Sequence, residues 1–205
     1  MTNGTLLGMI NNQNYARFLP YNGSITYPRR LSTEHLNGLT YLRQEFIRLE
    51  AFDEERLDKR SMVDEEIVYA FTVNKPHYLK LKLRNLACEN ECDFQLKFRD
   101  EPSNNTLIIG YTGSSKEFYV DRTRGKPINS RYNEVHRYKP KYKKLLSDDE
   151  FAFDIVLDVD TIELLTDRGL VALTMVHLNH RIFETLTIST LKNYEVDLKV
   201  NTYES

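Results

Sequence analysis

Apolar and polar residues alternate along many short segments of this chain. Residues 78–83 read Tyr-Leu-Lys-Leu-Lys-Leu, and residues 194–200 read Tyr-Glu-Val-Asp-Leu-Lys-Val. Successive side chains of a β-strand point to opposite faces, so this period lets a strand bury one face and expose the other. A chain with about ten such segments is predicted to be all-β. The other segments are 67–73, 94–98, 106–111, 117–121, 151–158, 161–165, 170–176 and 186–189.

Turn-forming residues separate these segments, at 74–76, 100–102, 113–115 and 167–169. Proline, glycine, asparagine and aspartate in such clusters favour tight turns. Strands with one polar face are typical of antiparallel sheets. The pattern therefore predicts a two-sheet antiparallel β-sandwich that resembles a jelly roll.

The chain divides into three stretches. Residues 1–50 begin with a polar, Asn-rich segment and continue with short apolar runs, and residues 51–62 are highly charged. The charged stretch reads as a short solvated helix or a linker, and we favour a linker. Residues 63–205 form the predicted β-sandwich domain.

Composition excludes several classes of protein. Hydrophobic residues make up 40% and the net charge is -2, so a core can form and no strong field attracts nucleic acid or anionic lipid. No apolar run approaches the roughly 20 residues that span a bilayer. Residues 1–12 lack the pattern of a signal peptide, which predicts a cytoplasmic protein. Three glycosylation-type triplets suggest a secreted ancestry, and they begin at Asn3, Asn22 and Asn104.

No metal, cofactor or nucleic-acid site is predicted. The two cysteines, Cys88 and Cys92, either form a local bridge in an oxidising compartment or remain thiols. His177 and His180 lack the third and fourth ligands that zinc requires, and we expect ordinary loop histidines. The basic run 137–144 has interleaved tyrosines, but it reads as a mobile, solvated loop rather than a nucleic-acid patch.

Three segments carry a family resemblance. Residues 118–124 read Phe-Tyr-Val-Asp-Arg-Thr-Arg, and residues 154–169 hold an apolar strand followed by spaced acids and a glycine turn. Residues 18–32 contain Tyr-Pro-Arg-Arg-Leu-Ser. Together they resemble glycoside hydrolase family 32, the invertases, inulinases and levanases. The resemblance implies that the first two segments lie in the family's C-terminal β-sandwich. It also implies that residues 1–50 are a remnant of the last blade of the catalytic β-propeller.

The acids in these motifs have a structural interpretation. By the resemblance, Asp158, Glu163 and Gly169 take family-motif positions that we assign to structure. Cross-strand ion pairing or fixing of a turn explains Asp158 and Glu163, and also the pair Asp121 and Arg122.

The chain is not expected to be an enzyme on its own. The family nucleophile lies in an Asn-Asp-Pro-Asn-Gly motif, which this sequence lacks. Glu91-Cys92 and Arg99-Asp100-Glu101-Pro102 imitate two further catalytic motifs, but in reversed order and too close together. We therefore interpret Glu91 and Asp100 as solvated turn charges.

The sequence leaves several functions open. The first is a non-catalytic module for domain packing, oligomerisation or protein interaction, whose partner is a second copy of itself or another protein chain. The sequence does not distinguish this module from a relative of the family that has been repurposed as an interaction protein. The second is a module that binds fructan or sucrose. The third is a fragment of a β-fructofuranosidase that needs its propeller. The sugar-binding candidates are Tyr111, Tyr119, Asp121 and Arg122, with Tyr132 and Tyr138 as further aromatic rings.

Overall fold

Two six-stranded antiparallel sheets dominate the fold. The computed structural model describes residues 4–10, 24–47, 52–62, 66–72, 75–86, 92–122, 141–146, 150–159, 161–176, 181–190 and 194–203. The strands of sheet I are β6 (Phe52–Met62), β8 (His77–Asn85), β13 (Glu150–Leu157), β14 (Thr161–Thr166), β15 (Val171–Val176) and β17 (Tyr194–Tyr203). Those of sheet II are β7 (Glu66–Ala70), β9 (Phe94–Asp100), β10 (Asn105–Thr112), β11 (Glu117–Asp121), β12 (Lys141–Lys143) and β16 (Thr185–Thr190). Sheet I has the order β15-β14-β13-β8-β17-β6, and sheet II the order β12-β11-β10-β9-β16-β7.

The core lies between the two sheets and follows from the alternation. On β8, Leu79, Leu81 and Leu83 are fully buried, while the lysines between them are exposed. Aromatic side chains fill one end of the core, where the ring centroids of Tyr111 and Phe151 are 4.6 Å apart. Each such aromatic pair adds roughly 0.5–1.5 kcal/mol beyond the area that it buries. The structure thus confirms the predicted antiparallel β-sandwich.

A smaller antiparallel sheet precedes the sandwich. In this amino-terminal sheet, β4 (Arg29–Leu36) and β5 (Leu39–Phe46) form a hairpin, and β1 (Gly4–Leu6) pairs with β4. The hairpin turns at Asn37 and Gly38, both of which have positive φ. Two further short strands, β2 (Met9–Ile10) and β3 (Ser24–Ile25), pair with each other.

The charged stretch 51–62 is not a linker. Its residues 52–62 form β6, which pairs with β17 along the edge of sheet I. Backbone pairing is indifferent to side-chain polarity, and edge strands tolerate charge well. The linker prediction was wrong because a highly charged composition does not prevent a segment from pairing as an edge strand.

The basic run is likewise not wholly a loop. Its residues 141–143 form the edge strand β12, which pairs with β11, and Lys141 lies 3.6 Å from Glu117. Residues 137–140 of this run lie outside the described residues, as do His177 and His180. Within the described ranges, no helix is long and apolar enough to cross a membrane.

Candidate functional site: the joint between the amino-terminal sheet and the sandwich

The amino-terminal sheet covers part of the outer face of sheet I. Strand register places Tyr78, Val156, Glu163 and Thr174 in one row across four adjacent strands. The ring of Phe46, at the end of β5, meets the ring of Tyr78 edge-on at 6.2 Å. Because of this cover, all six residues of β14 are buried. A strand buried on both faces is usual in parallel sheets but not in antiparallel ones. We call this interface, between the β4–β5 hairpin and strands β14 and β15, the joint.

A buried ion pair lies at the centre of this joint. Arg29 begins β4 and is 4% exposed, and Glu163 on β14 is 2% exposed. Nη2 of Arg29 lies 2.5 Å from Oε2 of Glu163 and donates to Oγ1 of Thr174 at 2.6 Å. The backbone N–H of Tyr27 donates to Oε1 of Glu163 at 2.6 Å. One carboxylate oxygen of Glu163 is therefore paired with a guanidinium group and the other accepts a backbone hydrogen bond, as a buried carboxylate requires.

The rest of the arginine is also held in place. Its Nη1 donates to Oε1 of Gln44 at 2.9 Å, and its Cζ lies 5.4 Å from the centroid of the Phe46 ring. The Nε of Arg29 is buried without a hydrogen-bond partner among the described residues. The arginine thus ties β4, β5, β14 and β15 together, and this can hold two sheets at a fixed angle.

A left-handed turn forms the second half of the joint. Asp167, Arg168 and Gly169 all have positive φ, which is rare for residues with a Cβ. A Cβ on Gly169 would lie 1.9 Å from the carbonyl oxygen of Gln44, so only glycine allows this approach. In addition, Nε of Arg43 donates to the carbonyl oxygen of Arg168 at 3.0 Å.

The side chain of Asp167 extends this turn toward sheet II. Its Oδ2 accepts hydrogen bonds from the backbone N–H groups of Leu145 and Leu146. These residues follow β12, the edge strand of sheet II. One buried carboxylate therefore links the turn of sheet I to the edge of the other sheet.

The family assignment follows from the sequence match. Residues 43–199 match the family described as glycosyl hydrolases family 32 C terminal. The chain belongs to this family. The match begins at residue 43, within β5, and the boundary of the sandwich domain at residue 63 stays a prediction. No curated protein sequence showed significant similarity.

Solved structures share this fold at low sequence identity. An exo-inulinase from Aspergillus awamori superposes with a TM-score of 0.77 at 15% identity, covering 98% of this chain and 40% of that chain. A fructofuranosidase from Schwanniomyces occidentalis gives 0.76 at 17%, covering 98% and 45%. A sucrose-6-phosphate hydrolase from Lactobacillus gasseri gives 0.69 at 16%, covering 99% and 39%. The chain therefore spans less than half the length of these enzymes.

The motif residues of this family 32 domain occupy different positions. Glu163 and Gly169 both lie in the joint, where they contact the hairpin that begins at Arg29. Asp158 is exposed in the β13–β14 turn, where its Oδ1 accepts the N–H of Val159 at 2.7 Å. Glu163 thus forms an ion pair, which is one of the two structural roles that we predicted, but its partner comes from a strand of another sheet. Pro28 and Arg29 belong to one of the three segments that resemble the family, but no sequence pattern indicates that Arg29 contacts Glu163.

Two of the four predicted sugar-binding residues, Tyr111 and Tyr119, line one cavity, and the other two lie outside it. Tyr111 is 5% exposed and its ring packs in the core, so it cannot serve as an exposed platform. Burial also raises its pKa to about 12, together with the charges of Cys92, Asp167 and Asp93. Tyr132 and Tyr138 lie outside the described residues.

Tyr119 is half-buried and lines this cavity, which lies at one end of sheet II. Asp121 is 7% exposed at the end of β11, and neither it nor Arg122 contributes to that cavity.

The structure tests only one of the two imitations of catalytic motifs. Asp100 is fully buried rather than solvated, and its Oδ2 accepts a hydrogen bond from the hydroxyl of Ser103. It therefore fixes the β9–β10 turn. Glu91 and Cys88 lie outside the described residues, while Sγ of Cys92 accepts a hydrogen bond from Nδ2 of Asn85 at 2.8 Å. In the described part of the chain, no group of three or more His, Cys, Asp or Glu residues is arranged to hold a metal ion.

Proposed function

We propose that this domain is a non-catalytic module that docks, through its amino-terminal sheet, onto the catalytic β-propeller of a β-fructofuranosidase. The propeller is supplied by the same polypeptide or by a second chain. The observation that carries this proposal is the joint itself: the hairpin is fixed on the sandwich by a buried ion pair, yet much of its apolar surface is uncovered. A rigidly held sheet with open apolar surface suits further packing.

The uncovered surface is substantial. Strand order leaves β1 and β5 as edges of the amino-terminal sheet within the described residues. Unpaired edges and exposed apolar side chains both favour the addition of further strands or of a packed partner. The large apolar side chains exposed in this part of the chain are Leu6, Leu7, Ile25, Leu39 and Leu42.

The test is a binding experiment with a separate propeller. We would mix the chain with the propeller part of a family 32 fructofuranosidase, and measure the complex by size-exclusion chromatography with light scattering. We expect a complex that Leu42→Asp weakens by at least about tenfold, since the loss of a central apolar contact and the burial of a charge cost about 1.4 kcal/mol or more. Val68→Asp is the matched control, because Val68 is 61% exposed on β7 of the other sheet. Equal binding by both variants, or no complex, would argue against docking through this sheet.

Two corollaries belong to the same proposal. The chain alone should release no glucose from sucrose, and activity should depend on the propeller. Without a propeller, the same apolar surface should cause self-association at high concentration, and Leu42→Asp should reduce it. Light scattering over a concentration series measures this, and a strictly monomeric wild-type chain would contradict it.

A further inference from the structure

We propose that a cavity at one end of sheet II binds a single neutral sugar ring. The cavity has a volume of about 240 Å³. It lies on the sheet opposite to the joint, so this proposal goes beyond docking and does not depend on it.

Strand register builds the cavity from distant parts of the chain. Glu66, Ser189, Gln95, Gly110 and Tyr119 occupy one row across the five adjacent strands β7, β16, β9, β10 and β11. All but Gly110 line the cavity, together with Asp93 and the buried residues Phe94, Tyr111 and Thr190. A row of paired residues shares one face of a sheet, so these side chains converge on the same surface.

The glycine in this row allows a tyrosine to lie along the sheet. A Cβ on Gly110 would lie 2.2 Å from Cζ of Tyr119, so the tip of the ring covers the place where a side chain would stand. The ring reaches across β10 to β9, where its hydroxyl accepts a hydrogen bond from Nε2 of Gln95 at 3.0 Å. The ring is thereby held over β10, where it forms a prearranged apolar part of the cavity wall.

Two carboxylates supply oriented acceptors. The hydroxyl of Ser189 donates to Oε1 of Glu66 at 2.9 Å, and the backbone N–H of Gly113 donates to Oδ1 of Asp93 at 2.7 Å. Within the described part of the chain, each contact fixes one carboxylate oxygen and leaves the second oxygen for a ligand. Hydroxyl groups that donate to carboxylates form charge-assisted hydrogen bonds, which are stronger than neutral ones.

The chemistry of the lining selects the ligand. Aromatic rings alternate with hydrogen-bond acceptors, and none of the described residues that line the cavity is basic. A phosphate or carboxylate would therefore be repelled, whereas a polyol can donate hydroxyls to the acids and place its C–H face on the tyrosine. Cavities for drug-sized ligands begin at about 300 Å³, so this one suits one sugar ring.

The test compares three ligands that share one ring: glucose, glucose 6-phosphate and glucosamine, with fructose and sucrose as further neutral sugars. Amide shift changes in NMR titrations report binding to the full chain. We expect saturable binding of at least one neutral sugar, with a dissociation constant on the order of 1–10 mM. The shifts should centre on Gln95, Tyr119 and Ser189, and glucose 6-phosphate should not bind.

Variants locate the site. Gln95→Ala and Tyr119→Ala should each weaken binding at least fivefold, while Lys97→Ala, which alters the next outward position on β9, should leave it unchanged. Glu66→Gln keeps the hydrogen-bonding shape and should weaken binding less than Tyr119→Ala. Thermal unfolding of each variant verifies that it is folded. Three results would overturn the proposal: no saturable shift with any neutral sugar, binding of glucosamine alone, or binding that survives both Gln95→Ala and Tyr119→Ala.

Discussion

Replacing Glu163 by glutamine should detach the amino-terminal sheet from the sandwich. The substitution keeps an acceptor for the Tyr27 N–H but removes the charge that compensates Arg29, which is 4% exposed. Removal of one partner from a buried ion pair costs about 3–5 kcal/mol, because the other charge stays buried and unpaired. Since about 1.4 kcal/mol corresponds to a factor of ten, the equilibrium for opening the joint should shift roughly 100- to 4000-fold.

Hydrogen exchange is the assay that resolves this effect. The joint links two sheets, so Glu163→Gln can open the hairpin without unfolding the sandwich, and a melting curve alone would miss part of the loss. Protection of the β4 and β5 amides should fall by the factor given above, while the amides of β9 and β10 in sheet II should change little. Local opening of this kind is what hydrogen exchange measures.

The matched control lies on the same hairpin. Arg30 and Glu45 form an ion pair at 3.8 Å with side chains 57% and 64% exposed. Glu45→Gln should therefore cost less than about 1 kcal/mol. If Glu163→Gln lowers the protection of the hairpin no more than Glu45→Gln does, the buried pair does not hold the joint and the reasoning fails.

Three further predictions concern stability. Gly169→Ala should destabilise the protein by more than the roughly 1–2 kcal/mol that a left-handed φ costs, because its Cβ would also meet the Gln44 carbonyl oxygen. Gly38→Ala is the control, because Gly38 has a φ of 79° but open space around it, so this variant measures the cost of the positive φ alone. If both variants lower the free energy of unfolding in urea equally, Gly169→Ala causes no steric clash. Burial lowers the pKa of His77 below 6.5, despite its hydrogen bond to a backbone carbonyl. Because the unfolded chain then binds more protons than the folded chain, the free energy of unfolding should fall as the pH drops below 6.5. His77→Gln should make this dependence on pH less steep. Burial raises the pKa of Asp154 above 3.8, so its ionisation opposes folding; Asp154→Asn should stabilise the protein at pH 7, and this gain should vanish below pH 3.8 in denaturant titrations.

The sequence predicted the sandwich well because its signal is local. Alternation identifies which face of each strand is apolar, and Leu79, Leu81 and Leu83 are indeed fully buried. The same local signal failed for residues 52–62, where charge hid a strand whose partner, β17, lies far along the chain. The family resemblance added the identity of the motif residues, but not their contacts.

The sequence by itself therefore determined most strands of the sandwich, their buried faces and the family. Only the tertiary structure decided which distant residues meet: Arg29 with Glu163, Gly169 with Gln44, and the five-strand row around Gly110. The physical reason is that alternation depends on neighbours in the chain. Contacts across sheets depend instead on strand order and register, which are set by the packing of the whole molecule.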